Sequence, residues 1–406
     1  MSAEATPGLP RRALLLILVI VFVNFAGFSL IIPLLPFYGR ELHASPVAVT
    51  LLFAAYSFGG IFGEMWWGRV SDQQGRRKIL IMATACTALS YVAFAFTSTL
   101  WVALALRVLT GFFGGTIGVC QSYIADVTKP EQRARSIGFL GAAINLGFAI
   151  GPAIGGLLAS PEQGLAGFRL PILISAAVAG LASLWSTFVL VESHPPGPAR
   201  ARPLWNEAIR FVGDNPILLR LFLIAFAGIG SFASMEAVFG LWTQHNFGWS
   251  TDQVGSTFIA VGLTGFVVQI LLVGRATKRF GEARVITGGL FVLALSMLLQ
   301  PVFRAPIASV VLMSTLMGGH SIAFPNSGAL ISRSTGPQIQ GSVNGLLMAS
   351  NALARILMPP VFGFIYSGVG PDWPYYVCAC LIGLLVFVGL QVVTLRDAAL
   401  AAPSTP

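Results

Sequence analysis

The sequence predicts an all-α integral membrane fold: twelve transmembrane helices in two pseudo-symmetric six-helix bundles. Three observations carry this. Only 10% of the 406 residues are charged and 55% are hydrophobic, whereas soluble domains carry about 25% charged residues. Long apolar runs recur at the length of a bilayer span, about 20 residues. A pattern of glycines and prolines then repeats at a shift of 206 or 207 residues.

Apolar runs and turn signals place the spans at 13–37, 48–67, 79–97, 100–125, 136–159, 170–191, 217–244, 252–273, 285–303, 306–332, 340–367 and 373–395. The first follows Arg11-Arg12 like a signal peptide, but no charge occurs from Ala13 to Gly39. That is too long for a signal core and reads as a retained span. The charge-free run 79–106 splits at Thr97-Ser98-Thr99, because the apolar pattern resumes past Arg107, whereas 305–332 is one long helix. The polar, Pro-rich stretch 192–216 divides the chain into an N-terminal bundle (1–191) and a C-terminal bundle (217–406). Within it, "LWNEAIRFV" has the pattern of a short interfacial helix.

Charge sets direction. The net charge of +9 could suggest nucleic acid, but 19 of the 24 Lys and Arg fall in segments that share one side of the membrane. Three fall on the other side, and Arg107 and Arg355 lie within spans. This asymmetry predicts cytoplasmic termini. The expected partners are therefore a lipid bilayer and a small molecule, with no nucleic acid. The four cysteines all sit in apolar runs without zinc or redox spacing, so no metal is expected. No G-x-x-x-x-G-K-[ST], G-x-S-x-G or H-E-x-x-H occurs. ATP is thus excluded as the fuel and an intramembrane enzyme is disfavoured; no cofactor is expected.

At a shift of 206, Gly68 and Gly75 fall on Gly274 and Gly281. At 207, Gly111, Pro130, Gly138, Pro152 and Gly156 fall on Gly318, Pro337, Gly345, Pro359 and Gly363. Two parallel repeats imply halves that rock about a midplane site, as in secondary transporters.

Four stretches carry chemistry: "GRVSDQQGRRK" after the second span, "LIIPLLP" ending the first, "LALRVLTGFFGG" in the fourth and "GFAIGPAIGG" in the fifth. Together with twelve spans in two halves they resemble the major facilitator superfamily, and within it the drug:proton antiporter branch that includes the tetracycline exporters. The resemblance covers nearly the whole chain. In the loop after the second span, Gly68 lets a neighbouring helix approach, Asp72 suits the amides of a helix N-terminus, and Gly75 permits a tight turn. The resemblance implies that Asp72 faces the start of the eleventh span, while Arg76, beside Arg77, pairs with Asp126. This would be a latch that engages in one state of the cycle. The second copy, "GRATKRFGEAR", has Thr277-Lys278 where the acid should be, so the latch should be asymmetric. In the fifth span Gly147, Gly151 and Gly155 share one face, with Pro152 and Gly156 beside them, a small-residue packing surface rather than a substrate contact.

Arg107 is the strongest single signal, because a cation within a span costs roughly 2.5–3.5 kcal/mol and needs partners. The resemblance places it against the first span, where Asn24 is available. Asn24, Arg107, Gln121 and Arg355 are the cavity candidates. Tetracycline exporters carry acids in the first and third spans where this chain has Asn24 and Ser90-Tyr91, so tetracycline is not the expected substrate. Proton coupling then falls to Glu236, His320 or Glu64. Glu236 is the deepest acid, about 28 Å along the seventh helix at ~1.5 Å per residue. A permanent ion pair with Arg355 is the rival role for it. The expected function is a proton-coupled exporter of small apolar molecules, acting as a monomer in a bacterial inner membrane; an importer or facilitator of a metabolite is the alternative.

Overall fold

The computed structural model describes residues 11–128, 130–193, 205–336 and 338–401. Among them it is helical throughout, without strands, and twelve helices are long and apolar enough to cross a membrane. They are Ala13–Glu41, Pro46–Gln74, Arg76–Ala95, Leu100–Val127, Phe139–Leu158, Pro161–Val189, Pro216–Phe247, Thr251–Phe280, Glu282–Leu299, Pro306–Arg333, Gln340–Gly368 and Trp373–Ala398. The large apolar side chains left outside, such as Trp101, Phe188 and Ile307, each 80% exposed, would be aggregation sites in water and suit lipid.

The ends of these helices differ from expectation in one informative way. The motif after the second span is not a loop. Nothing between Gly68 and Gly75 breaks a helix, and the second helix runs on to Gln74. All of the turning is done at Gly75, whose φ of 95° is open to glycine. The second copy behaves alike: the eighth helix continues to Phe280 after a π-helical segment, Val268–Val273, and turns at Gly281 with φ of 80°. Two other spans are interrupted. The first breaks after Leu30 into a 3₁₀ turn at Ile32–Leu34 that opens with Pro33 next to its start. The fourth breaks at Gly115-Thr116, between Leu100–Gly114 and Ile117–Val127.

The linker helix spans Trp205–Asp214, burying Ala208 and Val212 one turn apart while Glu207 and Arg210 stay exposed. Linker residues 194–204, both terminal segments and Pro337 lie outside the described residues.

By contact, the chain groups into two units. One comprises Met1–Ser45, Leu51–Ala201 and Ser250–Ile259; the other comprises Pro46–Thr50, Arg202–Trp249 and Ala260–Pro406. The short exchanged segments have a physical cause. Gly255 lies so close to Gly156 that a Cβ on Gly156 would come within 2.4 Å of its Cα, and a Cβ on Gly363 would meet the Thr50 hydroxyl at 2.4 Å. In the first unit the first span packs on the fifth and sixth, and the third on the fourth and sixth. In the second unit the seventh packs on the eleventh and twelfth, and the ninth on the tenth and twelfth. The pairing order repeats with a shift of six helices, as a duplicated chain requires. The first unit is filled by Leu16, Ile17 and Ile20 from the first span, Ile79 and Ala83 from the third, and Val119 and Tyr123 from the fourth.

Candidate functional site

The antiporter-type motif builds a seam between the fifth and first spans. A Cβ at Gly147, Gly151 or Gly155 would meet Phe22 O at 2.9 Å, Ala26 O at 2.4 Å or Leu30 O at 2.0 Å. Three glycines at helical spacing thus let one backbone lie against the next, and Ser29 Oγ donates to Gly147 O at 2.9 Å across the seam. Pro152 sits inside the same helix. A second glycine seam joins the second and fourth spans. There a Cβ on Gly59, Gly63 or Gly111 would collide with Val108 O, Phe112 O or Tyr56 O at 1.9, 2.1 and 1.9 Å.

That second seam positions Arg107. With the two backbones so close, its Nε donates to Leu52 O at 3.1 Å. The guanidinium lies 4.9 Å from the Tyr56 ring centroid and 5.7 Å from that of Phe28, a cation–π box. Nη1 and Nη2 are buried and have no hydrogen-bond partner. The expected bond to Asn24 is not formed. Instead Asn24 Nδ2 donates to Thr116 Oγ1 at 3.3 Å, at the break in the fourth span, because that break leaves a polar group for it to meet. Asn24 Oδ1 and the Tyr91 hydroxyl are likewise buried without a partner. Gln121 is exposed. Glu64 is exposed as well, one turn before Gly68.

At the motif end of this unit, Arg76 is buried among acids. Its Nε donates to Asp126 Oδ2 at 2.8 Å, Nη2 lies 2.7 Å from Asp72 Oδ1, and Nη1 donates to Ser71 Oγ at 2.8 Å. Asp72 therefore serves as a side-chain partner of Arg76. The helix N-terminus here takes its carboxylate from Glu192, just past the sixth span, which accepts from the amides of Arg76 at 2.7 Å and Arg77 at 3.2 Å. Arg77 Nη2 donates to Thr187 O at 2.6 Å, tying the same two helices together. Gly75 has no room for a side chain, since a Cβ would come within 2.4 Å of Glu192 Oε2. Gly68 is different: nothing lies within 4 Å of a Cβ built there. The close approach expected at Gly68 is not made, because the glycine seam of these helices ends at Gly63.

The second copy of the motif reverses the charges. At the shift of 206, Asp72 and Arg76 fall on Lys278 and Glu282; at 207, Asp126 falls on Arg333. Glu282, only 4% exposed, bonds Arg333 Nη1 at 2.8 Å and Arg396 Nη1 at 3.0 Å. Thr277 Oγ1 donates to Asn326 Oδ1 at 2.8 Å.

Inside the second unit, Glu236 is buried and its Oε2 has no hydrogen-bond partner. Arg355 is near enough to act electrostatically on both Glu236 and His320. The imidazole is sandwiched between Phe232 and Phe324, with ring centroids 4.0 and 4.5 Å away, and its Nε2 is buried without a partner. Arg355 is thus common to the surroundings of Glu236 and His320.

The model of the Major Facilitator Superfamily matches residues 17–244 and 221–405. The chain belongs to that superfamily. Its relatives include the class C tetracycline resistance protein of Escherichia coli, 31% identical with 89% of this chain and 92% of that protein covered. Multidrug resistance protein 2 of Bacillus subtilis (strain 168) is 26% identical with 91% of each covered. Among solved structures, a D-xylose–proton symporter superposes with a TM-score of 0.77 over 93% of this chain and 97% of that one, at 18% identity. That likeness confirms the all-helical, twelve-span fold of the superfamily. Within this superfamily member, sequence reasoning missed two acids, Glu192 and Glu282. Glu282 carried a signal: it is an acid among Lys278, Arg279 and Arg284 at the end of a span, where a carboxylate has no topological use.

Proposed function

We propose that the protein is a proton-coupled exporter of small, largely apolar molecules that works by alternating access. The observation that carries this is Glu236 itself: a carboxyl buried within the seventh span with one oxygen unpartnered. A proton carrier needs a site where its neutral and charged forms are both tolerable. An acid this deep in a span is costly and marks a proton or substrate pathway. The family's tetracycline and multidrug resistance members support the export direction. Asn24 and Ser90-Tyr91, standing where tetracycline exporters carry acids, argue for a different cargo. Arg76 with Asp72 and Asp126 acts in this reading as the latch that engages and releases during the cycle. The chain works as a monomer in a bacterial inner membrane, with both termini in the cytoplasm.

The test is Glu236→Gln in proteoliposomes, with the proton gradient imposed in each direction. Loss of gradient-driven efflux with downhill exchange retained is the expected result. Full gradient-driven transport would remove Glu236 from the mechanism and make His320 the next residue to change. Poor insertion rescued by also neutralising Arg355 would assign the pair a structural role. Uptake in place of efflux under the same gradient would establish the importer. Orientation is checked separately, with cysteines in place of Arg69 and Arg275 reacting only with permeant reagents in intact cells and one in place of Glu162 reacting with impermeant ones.

A further inference from the structure

We infer that Glu282, clamped by Arg333 and Arg396, is a positioning residue of the transport cycle and the charge-inverted counterpart of Arg76. The inference rests on the transport reading above. Four observations lead to it.

First, the two clusters occupy matching places. Arg76 and Glu282 each open a helix directly after a glycine of positive φ, Gly75 at 95° and Gly281 at 80°. Each reaches the end of the helix that follows, at Asp126 in one unit and Arg333 in the other. Each is joined to the end of its unit's last helix as well, through Glu192 on the Arg76 amide and through Arg396 on the Glu282 carboxylate. One architecture has therefore been built twice with opposite polarity.

Second, membrane orientation does not account for the acid. Lys and Arg near span ends set orientation, while Asp and Glu contribute little to it. Arg333 and Arg396 would serve topology equally well unpaired. A Glu that is 4% exposed among them is not needed for that purpose.

Third, the inversion suits its place. A carboxylate in the first turn of a helix is favoured by the backbone dipole, and an arginine there is not. Arg76 is offset by three carboxylates, from Asp72, Asp126 and Glu192. Glu282 needs only its two arginines.

Fourth, the outer partners can let go. Arg333 is 73% exposed and Arg396 34%, so either guanidinium can be rehydrated on release while the other stays on the buried Glu282 carboxylate. A clamp of this kind fixes the ends of the ninth, tenth and twelfth spans relative to one another and still releases. A rigid structural pair would have both sides buried.

The experiment uses the full chain in proteoliposomes, with ethidium as the transported probe and hydrogen exchange read on the same samples. For Glu282→Gln, the maximal rate should fall about tenfold with KM unchanged, the size expected when a coupling element is removed. Exchange should quicken at 282–286 and also at the distant ends 330–334 and 393–397. The triple variant Glu282→Arg, Arg333→Glu, Arg396→Glu copies the polarity of the first unit and should restore both readouts. The milder Arg333→Gln, at an exposed position, should give an intermediate rate if Glu282→Gln proves hard to insert. An unchanged rate with quickened exchange would reduce the cluster to a structural tie and overturn the inference, as would unchanged exchange or no recovery in the inverted variant. A wild type that moves no ethidium while exchange behaves as expected would sink the transport reading, and the role in the cycle with it, but would support the clamp itself.

Discussion

Arg76 and Arg107 belong to the same unit and are each 1% exposed, yet they are held in opposite ways. All three nitrogens of the Arg76 guanidinium have a partner, two of them carboxylates. Arg107 has one backbone carbonyl and two ring faces, and two of its nitrogens bond nothing. A buried charge with its counter-charges in place stabilises the arrangement that holds it, and removing one member strands the others. A buried charge without them is a cost to the fold, and an apolar side chain of similar volume would serve stability as well or better. Removing Arg76 therefore strands its acids, whereas removing Arg107 strands no counter-charge.

Arg76→Met should break this comparison most visibly. It strands Asp72 and Asp126 and should cost about 3–5 kcal/mol, read as a fall in thermal midpoint of the purified protein. Adding Asp126→Asn should recover part of the loss; a midpoint equal to wild type in the single variant would mean the acids solvate freely.

Next in size are the two turn glycines. Gly281→Ala forces an L-residue into a positive φ, at about 1–2 kcal/mol. Gly75→Ala adds a collision with Glu192 and should lower the thermal midpoint further. Equal losses would show that the Glu192 carboxylate can move aside.

A smaller effect is expected from Tyr56→Leu, which removes the nearer ring over Arg107 and should cost up to about 2 kcal/mol for a desolvated cation–π contact. Last comes Arg107→Met, which should leave the thermal midpoint unchanged or raised while gradient-driven transport disappears. A large loss of stability there would place Arg107 beside Arg76 as a structural residue.

Much of this molecule was legible in its residues. Spans are legible because a bilayer demands some 20 apolar residues in a row, and the glycines of the fifth span because a period of four is a face. Arg107 stood out by its cost. Its partner did not, since the carbonyl of Leu52 belongs to the backbone and any residue there would supply it. Glu192 was hidden because it begins a stretch that composition assigns to a linker, although its carboxylate returns to cap the third span. Glu282 was hidden for another reason. The second motif copy has no acid in the place of Asp72, because the duplication kept the geometry and exchanged the signs. The turn at Gly75 was legible, but the helicity of the seven residues before it was masked by their charge.

At its glycines the seam between the first and fifth spans meets backbone to backbone, and the Ser29 side chain bonds across it. Such a contact stores almost no rotamer information. Along the glycine face itself there are no rotamers to repack, although Phe25 and Phe28 pack on Phe148 at its edge. The same property removes its tolerance for drift. In a saturation-mutagenesis library, a core leucine has neighbours that can adjust to accept a methionine or an isoleucine, but Gly151 and Gly155 each face a backbone carbonyl oxygen that a Cβ would meet at 2.4 and 2.0 Å, and every other letter of the alphabet is too large.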